Sequence, residues 1–174
     1  MNTPSKTIWT IGHSNRPLNE FMDMLHSFQI QLVADIRSFP GSRHYPYFNK
    51  ELLEDSLSEN QIAYIHLAGL GGRRKVQVNS INTGWRLDSF RAYADYMSTD
   101  TFKTAIAQLE DLADKQHTAY MCSEALWWRC HRSLVSDFLK LKGWTVMHIM
   151  AAGKVQEHPY TSVAKIINGR LSYQ

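Results

Sequence analysis

Residues 118–135 read TAYMCSEALWWRCHRSLV, and this stretch decides the fold. Thr118–Glu124 is a short apolar run of strand type that breaks into a loop. A helical pattern then runs from Arg129 to Lys142, packing through Leu134, Val135, Phe138 and Leu139 and stopped by Gly143. A strand feeding a loop and then a packed helix is half of a βαβ unit. The same alternation recurs on both sides of it.

Upstream, Lys6–Ser14 (KTIWTIGHS) reads as a first strand ending in a turn. Ser14 or Asn15 is placed to cap a helix carrying Leu18, Phe21, Met22, Leu25 and Phe28, with Pro17 tolerated in its first turn. Gln31–Arg37 is a second strand, followed by the turn-rich loop SFPGSRHYPYFN. Asn49 can cap a helix ending near Asn60, and Ile62–Gly72 is a third strand running into a glycine loop. Two helical patterns follow: Phe90, Tyr93, Ala94 and Met97, then Phe102, Ile106, Leu109 and Ala113 with Thr99 or Asp100 as cap. Downstream, WTVMHIM is a fifth strand, and PYTSVAKIING is expected to form a short last helix. The expectation is one α/β domain over residues 1–174, with a mainly parallel, Rossmann-like central sheet of about five strands flanked by helices.

Composition narrows the function classes. A chain of 174 residues that is 44% hydrophobic and 20% charged is ordinary globular material. MNTPSKTIWTIGHSN lacks the apolar run of a signal peptide, and no stretch approaches the ~18 apolar residues of a membrane span. Two cysteines make no disulfide framework, so a reducing, cytoplasmic setting is expected. The net charge of +3 is too small to argue for nucleic-acid binding by itself.

The placement of that charge is more informative. In α/β folds ligands bind outside the carboxyl ends of the strands. Of ten arginines, Arg16 follows the first strand, Arg37 and Arg43 the second, Arg73, Arg74 and Arg86 the third, and Arg129 and Arg132 the fourth. Arginine's planar fork suits phosphate or carboxylate. His13, Asp35, His44, Cys122, Glu124, Cys130 and His131 fall in the same segments. Tyr45, Tyr47, Phe48, Trp85, Trp127 and Trp128 do too, offering faces for a base or sugar.

Three chemistries are open at the cysteine stretch. Cys130 at a helix start, or Cys122 at a strand end, suits a thiolate nucleophile. The Cys-x6-Arg spacing from Cys122 to Arg129 is one residue longer than the tyrosine-phosphatase loop and contains no glycine, which argues against that reaction. Cys122, Cys130 and His131, with His13 or His44, offer metal ligands, but Cys-x7-Cys-His matches no zinc-finger or ribbon spacing, so neither metal nor cofactor is expected. Asp35 and Glu124 suit an acid–base or nucleophile pair, or else each orients an arginine: Asp35 with Arg37, Glu124 with Arg132. GLGGRRK lacks both the dinucleotide and the P-loop pattern and reads as a turn. His66 and His148 read as satisfied core histidines.

TIGHSN, LVADIRSFPGSRHYPYFN, IAYIHLAGLGGRR, FRAYADYM and MCSEALWWRCHRSLV occur in that order. Together they resemble the domain-of-unknown-function 488 family from about residue 7 to residue 149, leaving 150–174 as a C-terminal extension. The resemblance implies a compact α/β domain and points to His13, Asp35, Arg37, Glu124, Cys130, His131 and Arg132 as signature positions.

The expected function is an arginine-rich anion pocket that binds, and processes if it is an enzyme, a nucleotide or other phosphorylated ligand. Its chemistry would then be of acid–base hydrolase or transferase type. Glu124, Asp35, His131 and Cys130 are the candidate catalytic residues; Arg37, Arg132, Arg129, His13, Arg43 and Arg73 are the candidate ligand-binding residues. The alternatives are a nucleic-acid-binding module without catalysis, and a thiol or metal (redox) protein centred on Cys122 and Cys130. No membrane partner is expected, and the sequence carries no marker of oligomeric state.

Overall fold

Strands and helices alternate as the periodicity predicts, over the residues 6–174 that this computed structural model describes. The reading of the N-terminus as leaderless rests partly on residues 1–5, outside that range. The strands are β1 (Thr7–Gly12), β2 (Leu32–Asp35), β3 (Ala63–His66), β4 (Thr118–Cys122), β5 (Thr145–Ala151) and β6 (Lys154–Glu157). They form one sheet in the order β3-β2-β4-β1-β5-β6. All neighbours are parallel except β5 and β6. The helices are α1 (Leu18–Ser27), α2 (Lys50–Glu59), α3 (Asp88–Tyr96), α4 (Asp100–Lys115) and α5 (Arg132–Leu141).

The connections dictate the layers. From β1 to β2 to β3 the chain steps toward one edge; from β3 to β4 to β5 it steps back. Right-handed crossovers then require the two sets of helices to lie on opposite faces of the sheet. The core divides accordingly. Phe21, Met24 and Leu25 of α1 pack with Leu53 and Leu57 of α2 against Ile11, Val33, Ala119 and Met121. On the other face, residues of α3, α4 and α5 pack against Ile8, Ala34, Tyr120 and Val146. Successive strand residues point to opposite faces, as the pleat demands. Phe102, Ile106 and Leu109 of α4 are essentially fully buried, and each such side chain contributes about 1.5–3 kcal/mol.

The central strands β1 and β4 lie side by side, and their outgoing connections run in opposite directions on opposite faces. Such a switch point opens a crevice at the carboxyl ends of the strands. Glycine permits the close approach there: a Cβ on Gly12 would lie 1.8 Å from the carbonyl oxygen of Glu124.

Several sequence expectations need correction. The sheet has six strands, because Lys154–Glu157 pairs antiparallel to β5 and closes that edge with polar, mostly exposed residues. Residues 159–169 form no helix; Lys165–Ile167 (β7) and Arg170–Ser172 (β8) make a hairpin. The third strand ends at His66, giving way to a 3-10 turn over Ala68–Leu70. The last long helix begins at Arg132, after a 3-10 turn over Trp127–Arg129. Thr99 caps α4 by accepting the Phe102 N–H, as expected. Asn49 instead turns its side-chain oxygen to the Ser42 amide, and the residue before α1 is Pro17.

Candidate functional site

A cavity of about 360 Å³ lies at the switch point. His13 enters it after β1, Arg37, Ser38, Phe39 and Ser42 after β2, and Gly72 and Arg73 after β3. Ser89 and Phe90 come from the start of α3, Cys122, Ser123 and Glu124 from the end of β4, and Arg129, Cys130 and His131 from the turn before α5.

Asp35 and Arg37 form its buried frame. Arg37 donates through Nε and Nη2 to the Asp35 carboxylate at 2.9 and 2.6 Å, and the Tyr64 hydroxyl donates to Asp35 Oδ2 at 2.7 Å. Desolvation and the Asp35 charge push the Tyr64 phenol well above its usual pKa. Asp35 is fully buried, with both oxygens engaged, so it orients Arg37 instead of facing the cavity. The Arg37 carbonyl in turn accepts from Nε2 of the half-buried His66 at 2.7 Å, so that histidine is satisfied although it lies at the edge of the core.

His13 is neutral and fixed. Its Nδ1–H donates to the Ser14 carbonyl at 2.9 Å, leaving Nε2 to accept from Arg37 Nη1 at 3.2 Å. Burial, aided by the Arg37 and Arg132 cations, lowers its pKa to about 4. His131 is held in a similar way, with Nε2 donating to the Ile36 carbonyl at 3.1 Å. Its pKa falls to about 4, chiefly through desolvation. Its ring lies against Gly72, where a Cβ would come within 2.6 Å of Nδ1. The glycine loop thus serves close packing, and the Tyr93 and Tyr96 hydroxyls staple it by donating to the Leu70 and Gly69 carbonyls.

Arg132 lies beneath the cavity and does not line it. It is 1% exposed; Nη1 donates to Thr10 Oγ1 at 3.0 Å and Nη2 to the backbone carbonyls of Glu124 and Ala125. Desolvation lowers its pKa to about 10, so it stays a cation at neutral pH. A buried cation held by neutral acceptors makes the cavity floor positive. The expected Glu124–Arg132 contact runs through the Glu124 carbonyl, and the Glu124 side chain stays exposed on the wall. The amides at the start of α5 are engaged internally: the Ser133 and Leu134 N–H groups bond to the Cys130 and His131 carbonyls.

Of the eight arginines that follow strands, three reach the cavity: Arg37, Arg73 and Arg129. Arg43 is exposed outside the wall. Arg16 bonds to the Gly12 and Met150 carbonyls and Glu20, and Arg74 stacks on Tyr96. The aromatic residues are mostly packing residues. Trp127 is buried and stacks on His148, Tyr45 and Tyr47 cover the α1–α2 core, and Trp85 packs on Phe90 and Tyr173. The exposed ring on the cavity wall is Phe39, which faces the Arg73 guanidinium. Ser38, Ser42, Ser89 and Ser123 were not singled out from sequence; the one positional signal is that Ser123 directly follows β4 and Ser38 and Ser42 lie in the loop after β2, whereas Ser89 opens α3.

Cys122 and Cys130 converge on this wall, their sulfurs in disulfide contact and their Cα atoms 7.7 Å apart. With His131 they form a cluster whose ligand atoms all lie within 4.8 Å of one another. Among the described residues no helix is long and apolar enough to cross a membrane.

No curated protein and no solved structure matches the chain. A family model does, that of the domain of unknown function DUF488, over residues 17–139. That span carries every cavity residue named above except His13, and the chain belongs to the DUF488 family.

Proposed function

We propose that the cavity binds a small phosphorylated ligand, of nucleotide or comparable size. The observation that carries this reading is that Arg73 and Arg129, from separate segments of the chain, both line the same cavity. Both are exposed, and among the described residues neither has a carboxylate partner, whereas Arg37 is committed to Asp35. Two forked donors with open valence suit phosphate oxygens. Four serines add neutral donors, and the buried Arg132 cation supports negative charge above it. A volume of about 360 Å³ is in the range of small-molecule pockets. Glu124 is the exposed acid beside it, placed for proton transfer to or from a bound ligand.

The test is a thermal-shift screen of nucleotides, sugar phosphates and short oligonucleotides on wild type and the Arg73→Ala/Arg129→Ala double variant. A ligand at ~100 times its Kd adds about 2.7 kcal/mol, or roughly 5–11 °C for this chain length. The shift should vanish in the double variant, and Glu124→Gln should spare binding and abolish any turnover. If no compound shifts wild type, or the shift survives loss of both arginines, the reading is wrong. A hit among the oligonucleotides whose affinity falls steeply with salt would favour a nucleic-acid module instead.

A further inference from the structure

We propose that Cys122, Cys130 and His131 form a zinc-type metal site on the cavity wall, with the fourth coordination position open to the cavity. The site does not depend on the phosphate reading.

Sequence spacing hides it, because Cys-x7-Cys-His is no finger or ribbon pattern. The fold brings the residues together by two devices. The 3-10 turn over Trp127–Arg129 returns the chain to the end of β4. The backbone then switches from extended at Cys130 (φ −132°, ψ 152°) to helical at His131 (φ −57°, ψ −14°). Adjacent residues in a continuous strand would point apart; this switch lets both face Cys122.

Each donor carries the support a metal ligand needs. The Glu124 amide donates to Cys122 Sγ at 3.4 Å, and the Arg132 amide donates to Cys130 Sγ at 3.4 Å. Such N–H groups stabilise thiolates, the form that binds metal. His131 donates its Nε2 proton to the Ile36 carbonyl, so its Nδ1 lone pair faces Cys130 Sγ, 3.5 Å away. A backbone carbonyl holding the outer ring nitrogen is the usual second contact of a ligating histidine. Two thiolates and an imidazole select zinc or a similarly soft ion. Zinc bonds of about 2.3 Å to sulfur and 2.0–2.1 Å to nitrogen place donors roughly 3.5–3.8 Å apart, within the 4.8 Å envelope of this cluster. The Cα separation of 7.7 Å exceeds the ~4.4–6.8 Å usual for a disulfide, so once reduced the two sulfurs can part to admit an ion between them.

Loading starts from the dithiol. A phosphine reductant opens the disulfide, taking up oxygen from water to become the phosphine oxide and leaving two thiols. Binding of the divalent ion then releases two protons to solvent. With three protein ligands the ion keeps one position for water or a ligand atom, the arrangement of catalytic zinc.

The experiment is a cobalt titration of the full chain, reduced with a water-soluble phosphine and freed of metal by chelator. We expect one cobalt per chain, with the strong visible bands of tetrahedral geometry and thiolate-to-cobalt charge transfer, displaced by zinc. The same protein oxidised with a diazene dicarboxamide should bind none. Cys122→Ser and His131→Gln, each checked for folding by circular dichroism, should weaken binding by more than the ~10–100-fold typical of outer contacts. Reduced, folded wild type that takes up no cobalt overturns the site, as does an unchanged spectrum in folded Cys122→Ser/Cys130→Ser. Should the variants fail to fold, the reduced and oxidised wild-type arms decide alone. Arg73→Ala/Arg129→Ala should load normally, so failure here and failure of the phosphate pocket are separable.

Discussion

Acid should destabilise this protein through its buried histidines. His13 and His148 are 3% and 1% exposed. Burial, with neighbouring positive charge, lowers the pKa of His13 to about 4 and that of His148 to about 2. A histidine whose folded pKa lies below its unfolded value of ~6.5 takes up its proton only when the chain unfolds. The stability is therefore complete above that value and is lost as pH falls toward the folded pKa. At about pH 5 each unfolded histidine is nearly fully protonated while both folded ones remain neutral, a difference of about 2 kcal/mol per residue. The pair costs about 4 kcal/mol, or roughly 8–16 °C in Tm for a chain of this length. His131 is shifted in the same direction and adds to the slope. The assay is thermal unfolding by circular dichroism at constant ionic strength from about pH 7.5 to pH 5. His13→Gln supplies the control, since an amide oxygen can still accept from Arg37. It should flatten the dependence by about 1.4 kcal/mol per pH unit. A Tm that moves by less than ~3 °C over that range, or an unchanged slope in His13→Gln, would refute the reasoning.

Two further outcomes test the frame around the cavity. Gly72→Ala places a methyl 2.6 Å from a His131 ring already backed by the Ile36 carbonyl, so the loop must yield; we expect a loss of about 1–3 kcal/mol, read as a drop in Tm. Asp137→Ala should cost about 3–5 kcal/mol, because its buried carboxylate accepts from His158, Thr161 and Tyr173, whereas Tyr173→Phe removes one donor and should cost about 1 kcal/mol. Urea unfolding of both variants distinguishes the two sizes, and equal losses would show that Asp137 is not the anchor.

The first five strands were legible because each is a short, mostly apolar run, and the first four lead on to amphipathic helices whose apolar residues recur every three or four positions. The C-terminal hairpin was misread, although its signal was present. Asn168-Gly169 separates Lys165–Ile167 from Arg170–Ser172, and both turn residues have positive φ, as a tight hairpin demands. The arginines mark the correct end of the sheet, but position along the chain does not fix direction. Arg37 has a carboxylate two residues away, Arg16 reaches backbone carbonyls, and Arg132 turns inward. The convergence of the cysteines was illegible for a different reason: it depends on a three-residue turn between them that no spacing rule encodes.

The segment beyond the family match is physically continuous with the cavity floor. Asp137 Oδ1 accepts from His158 Nε2 at 2.9 Å, which leaves His158 Nδ1 to accept from His148 Nε2 at 2.9 Å. His148 Nδ1 then accepts the Thr10 hydroxyl proton at 2.8 Å, and Thr10 Oγ1 accepts from Arg132 Nη1. In this order every bond has one donor and one acceptor with both histidines neutral. The chain is polarised, with a buried anion at Asp137 and a buried cation at Arg132. A second proton on His148 would forfeit the Thr10 hydroxyl's donation and add charge in a buried site near the Arg132 cation, in agreement with a pKa depressed chiefly by burial. Arg132 also holds the Glu124 and Ala125 carbonyls, and so shapes the loop that carries Glu124 into the cavity. The matched span ends at residue 139, whereas His148, His158, Thr161 and Tyr173 lie beyond it. In this chain the residues after the match anchor the charged floor on which the candidate site rests.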